Sequence, residues 1–221
     1  MPRKPPRRTR ERIVETALTL FNRDGEPHVT TAHIADEMNI SPGNLYYHFR
    51  NKEEIVGELH DLYENDVLPL IALPGDRTPG VEDLWLLLHL LFERMWAYRF
   101  LYRNLDDIAS RNAAVARGIA KLHRKLRDLI VRICEALRAD GALDADDRAI
   151  DALATNVVVV ATCWMPFQLT LSRGHDARDG PRDQPADVHF ERAAWQVLSL
   201  VAPFLRGRER AHLERLSEQY L

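Results

Sequence analysis

Apolar residues recur every three or four positions through almost the whole chain. That spacing is the strongest constraint on the fold, because it commits the backbone to helices. Ile13, Ala17, Leu20 and Phe21 fall at i, i+4, i+7 and i+8 on one face of a first helix. Asp24-Gly25 ends it, with Gly25 suited to a left-handed cap. Thr30 is placed to cap a short second helix over 31–38, with Ile34, Ala35 and Met38 facing inward. Asn39-Ile40 makes a turn. Ser41 then caps a third helix, and Pro42 takes its first position, where a missing N–H costs nothing. That helix runs to about Phe49. Asn51-Lys52-Glu53-Glu54 reads as a capping box that opens a fourth helix, carried by Ile55, Leu59 and Leu62 towards Leu68.

The stretch 73–80 (LPGDRTPG) is the clearest loop in the first half. Beyond it the periodicity predicts helices at about 81–99, 101–109, 113–139, 145–172, 187–205 and 208–219, with Gly141 as a stop after the third. Val157–Val160 is β-branched and suits a strand by propensity. It lies inside a long periodic apolar segment with nothing nearby to pair with, so helix is expected. Pro166 predicts a kink or a local break in that helix. Residues 173–186 are polar and rich in Gly and Pro, and read as a flexible loop. The fold class is therefore all-α.

The 221 residues are 46% hydrophobic and 29% charged, the balance of a soluble globular chain of one or two domains. A net charge of −3 first argues against nucleic acid as a partner, but it hides an asymmetry. Residues 1–12 carry Arg3, Lys4, Arg7, Arg8, Arg10 and Arg12 against Glu11, a local +5, which leaves −8 on the rest. With Pro2, Pro5 and Pro6, residues 1–9 read as an extended, disordered basic arm. Cys134 and Cys163 give neither a disulfide framework nor zinc spacing, so no metal is expected. No apolar core of about 7–15 residues follows the basic start, which excludes a signal peptide. Leu84–Phe92 is broken by His89 and stopped by Glu93. Val157–Leu171 contains Thr162, Pro166 and Gln168 and is shorter than the roughly 20 residues of a membrane span. A cytoplasmic protein without a membrane partner is expected. No Gly-rich phosphate loop, nucleophile elbow or H-E-x-x-H is present, so neither a cofactor nor catalysis is indicated. Asp106-Asp107 and Asp146-Asp147 read as helix surface and cap.

Residues 31–49 have the size of a helix-turn-helix. The second helix is about eight residues long, and Leu45 and Phe49 form its one narrow apolar stripe. Gly43, Asn44, Tyr46, Tyr47 and His48 are small, polar or aromatic. That composition suits insertion into a DNA groove, with a helix N-terminus offered to phosphate. The competing reading is a small surface helix whose tyrosines cover the core.

Residues 10–60 resemble the N-terminal domain of the TetR family of bacterial transcriptional regulators. The match runs through Arg12-Ile13, Ala17-Leu18, Leu20-Phe21, Gly25, Val29-Thr30-Thr31, Ile34-Ala35, Ile40 to Phe49 (ISPGNLYYHF) and Lys52-Glu53-Glu54-Ile55. The resemblance covers about a quarter of the chain. The run ISPGNLYYHFRNKEE is similar to a subgroup that includes regulators of fatty-acid and polyester metabolism. The resemblance implies that positions 43 and 46 (Gly43, Tyr46) approach base edges. It implies that Thr31, Tyr47, His48 and Lys52 hold phosphates, and that Ser41 and Asn44 make either contact. Lys52 at the start of helix 4 would share a phosphate with the helix dipole. Arg7, Arg8 and Arg10 would lie along the DNA backbone or enter the minor groove.

The rest of the chain, 61–221, is implied to be a helical effector-binding and dimerisation domain. The family dimerises through its last two long helices, here about 145–172 and 187–205, with Ile150, Leu153, Val157, Val160, Trp195, Leu198, Val201 and Phe204 as the expected homodimer interface; packing within one chain is the alternative. Trp85, Leu88, His89, Phe92, Trp96, Phe100, Tyr102, Trp164, Met165, Phe167 and Gln168 either line an apolar pocket for a small hydrophobic effector, acyl or aromatic, or form ordinary core. The basic run Arg117, Lys121, Arg124, Lys125, Arg127 and Arg132 reads as a solvated helix face, with a second DNA or effector contact as the alternative. The resulting expectation is a dimeric repressor on a palindromic operator, released by its effector. The alternatives are a regulator or architectural protein without an effector, and a helical enzyme.

Overall fold

A computed structural model of the chain describes residues 6–72, 79–176 and 190–217. The helices are α1 (Pro6–Asp24), α2 (Thr31–Glu37), α3 (Pro42–His48), α4 (Lys52–Val67), α5 (Val81–Ala97), α6 (Arg99–Arg103), α7 (Leu105–Arg111), α8 (Ala113–Ala139), α9 (Asp147–Asp176), α10 (Phe190–Val201) and α11 (Gly207–Ser217). Short 3₁₀ turns lie at Glu26–His28 and Ala202–Phe204. Among the described residues the only β-type pairing is an isolated antiparallel bridge between Leu143 and Leu205.

The chain divides into two compact units, Met1–Asn65 with Tyr98–Ile119, and Asp66–Ala97 with Ala120–Leu221. The first unit is therefore not a continuous N-terminal block. It takes in α6 and α7, which the sequence reading gave to the second domain. Its core is Ile13, Ala17, Phe21, Ile34, Leu45, Phe49, Ile55 and Leu59, joined by Phe100 and Leu101 from α6. Phe21 and Phe100 pack ring against ring at 5.3 Å. Asn22 holds the two segments together: its Oδ1 accepts from the Phe100 N–H at 3.1 Å and its carbonyl from Arg103 at 2.9 Å. At the crossing of α4 and α8, a Cβ on Gly118 would lie 2.1 Å from His60 Cε1, so only glycine admits the buried imidazole.

The local signals act as expected. Gly25 has φ 87°, and Gly141 beyond α8 has φ 71°. Thr30 and Ser41 accept from the His33 and Asn44 N–H groups at the starts of α2 and α3. Asn51 Oδ1 accepts from the Glu54 N–H at 2.9 Å, and Glu54 Oε2 accepts from the Arg50 N–H at 2.9 Å. Asn39 turns the chain between α2 and α3 at φ 53°, a left-handed conformation its short amide side chain tolerates.

Three expectations are corrected. α1 already begins at Pro6, so residues 6–9 of the expected disordered arm are helical, because proline suits a first turn; residues 1–5 lie outside the described residues. The helix expected at 101–109 is two, α6 and α7, parted at Asn104. α9 continues past Pro166 to Asp176, so residues 173–176 of the expected loop are helical and 177–186 lie outside the described residues.

In the second unit α10 packs on α9 and α5, and α11 packs on α5. Leu84, Leu88, Leu126, Ile130, Val157, Ala161, Ala194, Val197 and Leu198 are buried there. Glu209 on α11 accepts from the Val81 N–H and so caps α5 across the unit. Arg127 pairs with Asp151, and Thr162 bonds His123 at 3.2 Å, joining α8 to α9.

Candidate DNA-binding site

α2, its turn and α3 form the helix-turn-helix. Leu45 and Phe49 are buried at 0% and 1% exposure, and they fix which side of α3 faces in. The opposite side stands clear: Tyr47 is 81% exposed, Tyr46 is 52% exposed, and Ser41, Gly43 and Asn44 are exposed. The tyrosines therefore do not cover the core. A Cβ at position 43 would meet nothing nearer than Ser41 Oγ at 4.0 Å, so the fold itself makes no demand for glycine there. Tyr46 Oη lies 3.2 Å from Thr31 Oγ1, which ties the middle of α3 to the first residue of α2. His48 is half-buried, with its ring edge-on to Tyr47 at 5.2 Å. Thr31, Ser41, Gly43, Asn44, Tyr46, Tyr47 and His48 are thus gathered on the two facing helices.

The cations are placed differently from the expectation. Arg10 points into its own unit. Its guanidinium donates to the His48 carbonyl at 2.8 Å and to Glu58 at 2.7 Å, and lies 4.1 Å from the centre of the Phe49 ring. It ties α1 to the last residue of α3 and to the middle of α4. Lys52 does open α4, but its ammonium donates to the Glu26 carbonyl at 2.9 Å and lies 2.9 Å from that residue's carboxylate. The side chain is 18% exposed and engaged within the unit. Arg8 is exposed in the first turns of α1, whereas the Arg7 side chain lies outside the described residues.

Sequence reading missed Glu26 altogether. Its side chain is fully buried, between Lys52 on one oxygen and Arg111 on the other at 2.8 Å. Arg111 also pairs with Asp107 at 2.7 Å and Glu53 at 3.4 Å, and the Asp107 and Glu26 bonds push its pKa up. No local pattern announces this network, because its members lie on the turn after α1, on α4 and on α7.

The expected effector residues divide between the units. Phe100 and Tyr102 belong to the core of the first unit, where Tyr102 and Tyr63 meet hydroxyl to hydroxyl at 2.5 Å. Burial pushes the Tyr102 pKa up to about 12 and raises that of Tyr63 as well. Trp85, Leu88, His89, Phe92 and Trp96 on α5, and Trp164, Met165, Phe167 and Gln168 on α9, belong to the second unit. Leu88, Phe92 and Met165 are buried, while Phe167 is 53% exposed. Trp85 stacks on His89 at 4.2 Å. The buried indole N–H groups of Trp85 and Trp164 have no acceptor among the described residues. A cleft of about 600 Å³ opens elsewhere in this unit, between Ile71-Ala72 and Lys125, Arg127, Asp128, Val131 and Arg132. A second, of about 360 Å³, lies in the first unit beside α4 and the start of α8. Neither is lined by the expected residues. Arg117, Lys121, Arg124, Lys125 and Arg132 are exposed along α8. Cys134 is buried, which with Glu135 pushes its thiol up to about 11, whereas Cys163 is exposed.

Ile150, Leu153, Val157, Leu198 and Val201 are 0–4% exposed within the single chain, because they are the seam of α9 and α10 with their own unit. Val160, Trp195 and Phe204 are half-buried. The apolar residues α9 leaves open are Val159, Phe167 and Leu171. By length and composition Asp147–Leu171 matches a membrane span, with mean hydropathy 1.5 and only 39% of its most apolar window buried. Apolarity on both faces of one helix produces that match.

A helix-turn-helix with its recognition face open is the arrangement of a DNA-binding transcriptional regulator, and the comparisons agree. The profile for "Bacterial regulatory proteins, tetR family" matches residues 13–59, and that for a TetR "Bacterial transcriptional repressor" matches residues 62–213. A TetR-family transcriptional regulator from Marinobacter aquaeolei VT8 is 32% identical, with a TM-score of 0.82 over 96% of this chain and 98% of that one. IcaR, negative regulator of the biofilm operon icaADBC of Staphylococcus epidermidis, is 25% identical over 140 residues, 62% of this chain and 75% of its own. SmeT in complex with triclosan shares the fold, with a TM-score of 0.59 and 19% identity over 91% of this chain and 93% of that one. The chain belongs to the TetR family of bacterial regulators.

Proposed function

We propose that this regulator is a repressor that binds a palindromic operator as a homodimer and leaves it when a small hydrophobic effector binds. The observation that carries the DNA-binding half is the open face of α3. Gly43 is a glycine that no neighbour requires, which fits close approach by something outside the chain. Tyr46 then reads base edges, while Thr31, Tyr47, His48 and the exposed Arg8 hold phosphates and Ser41 and Asn44 contact either. The α3 contacts are few, and two copies set about 34–36 Å apart on DNA would supply the rest.

The open apolar residues Val159, Phe167 and Leu171 support pairing of α9 with a second copy, with Val160, Trp195 and Phe204 at the margin. The effector reading rests on the second unit. Two buried indole donors without acceptors favour an aromatic or acyl molecule that carries an acceptor oxygen. Triclosan in SmeT, a small hydrophobic molecule on the same fold, is consistent with this. Binding would shift the population to a state whose recognition helices no longer match successive grooves.

Selection of bound duplexes from a random pool tests the reading. A palindrome is expected, and Tyr46→Ala should lose more affinity on the selected site than on random DNA. Equal losses on both would remove Tyr46 from base reading. A thermal-shift screen of acyl and aromatic compounds follows, and those that stabilise the free protein should release DNA. Compounds that bind free and DNA-bound protein equally would overturn the release mechanism.

A further inference from the structure

Residues 1–60 hold nine basic and nine acidic residues, so attraction to DNA has to come from individually placed cations. Two of the cations expected at DNA, Arg10 of the basic arm and Lys52 at the start of α4, meet Glu58 and Glu26 within the unit. Resting on the DNA-binding reading above, we propose that Arg50 is the cation that clamps a backbone phosphate at the end of the recognition helix.

Arg50 sits between the last residue of α3 and the first of α4, two positions after His48. The preceding residue, Phe49, is buried and extended, with φ −140° and ψ 123°. Successive side chains of an extended segment point to opposite sides, so Phe49 in means Arg50 out. Arg50 is exposed, and its guanidinium has no hydrogen-bond or ion-pair partner among the described residues. Its backbone is nevertheless fixed: the N–H donates to Glu54 Oε2, and Asn51 beside it caps α4. Glu54 is thus committed to the backbone, Glu53 to Arg111 and Glu58 to Arg10, so the acids of early α4 do not take the Arg50 side chain. Arg50 follows His48 by two positions, a span of at most about 7 Å, so a guanidinium there lies within reach of a phosphate that Tyr47 or His48 touches. Its charge also offsets the negative C-terminal end of α3. A free, planar, permanently charged group on a rigid base is suited to a phosphate clamp.

The test uses the full chain on the duplex selected from a random pool and on a scrambled duplex, with affinity measured against salt. Arg50→Ala should lower the slope of log affinity against log salt by about 0.9 per bound protomer on both duplexes, and Arg50→Lys should largely restore it. The melting midpoint should stay within about a degree for either variant, as for any exposed, unpaired residue. An unchanged slope for Arg50→Ala while the wild type binds DNA overturns the proposal. A wild type that binds neither duplex overturns the DNA-binding reading itself, which is a separate failure.

Discussion

Removing the charge of Glu26 without changing its shape should loosen the first unit measurably. In Glu26→Gln the side chain remains fully buried, but Lys52 at 2.9 Å and Arg111 at 2.8 Å lose the anion between them. A hydrogen bond to a charged group contributes about 1.5–3 kcal/mol, and orphaning buried ion partners costs more. Here both cations can recover some water, at 18% and 35% exposure, and Arg111 keeps Asp107 and Glu53. The low end of the range therefore applies to the Arg111 hydrogen bond, the Lys52 contact is an ion pair that adds less, and the Gln amide retains part of one. The net loss is about 2 kcal/mol, which for a chain of this size is about 4–8 °C in the melting midpoint. Thermal unfolding followed by circular dichroism at neutral pH reads this directly. A double-mutant cycle with Arg111→Ala should return a coupling of about 1 kcal/mol. A midpoint that moves by less than about one degree, with no coupling, would refute the reasoning and leave Glu26 an ordinary polar residue.

Gly118→Ala forces a Cβ to within 2.1 Å of the His60 ring and should cost about 1–3 kcal/mol by overpacking, seen as a lower midpoint; an unchanged midpoint would mean that α4 and α8 do not cross so closely. Phe167→Asp places a charge on the open face of α9 and should shift the proposed homodimer to monomer in light scattering, and an intact dimer would assign pairing to another surface. Tyr63 and Tyr102 titrate above their usual value of 10 in the folded chain, so the native state holds protons that the unfolded chain loses. Their stabilising contribution is complete below pH 10 and declines as pH rises above it, for Tyr102 through about 12, so the midpoint should fall above pH 10. Tyr63→Phe should flatten the decline, and an equal decline in that variant would assign it to other groups.

Much of the fold was legible because its signals are local. Caps such as Thr30, Ser41 and Asn51 bind an N–H three residues on, and helical faces repeat every three to four positions, so both act within a single turn. The exposed face of α3 was legible for the same reason: once Leu45 and Phe49 are assigned inward, Tyr46 and Tyr47 have to point out. The sequence by itself thus determined an all-helical chain, the position of its helix-turn-helix and the residues that face could offer to DNA.

Only the tertiary structure decided which charges are free and which apolar residues are already covered. Glu26 is joined to Lys52 across 26 positions and to Arg111 across 85, and Arg10 reaches Glu58 across 48, distances over which no periodicity carries information. Ile150 and Val159 look alike in sequence, yet one is sealed by its own chain and the other stands open. An apolar side chain records that it will be covered, not by what, and a cation records its charge, not its partner. Those identities are settled when distant segments meet.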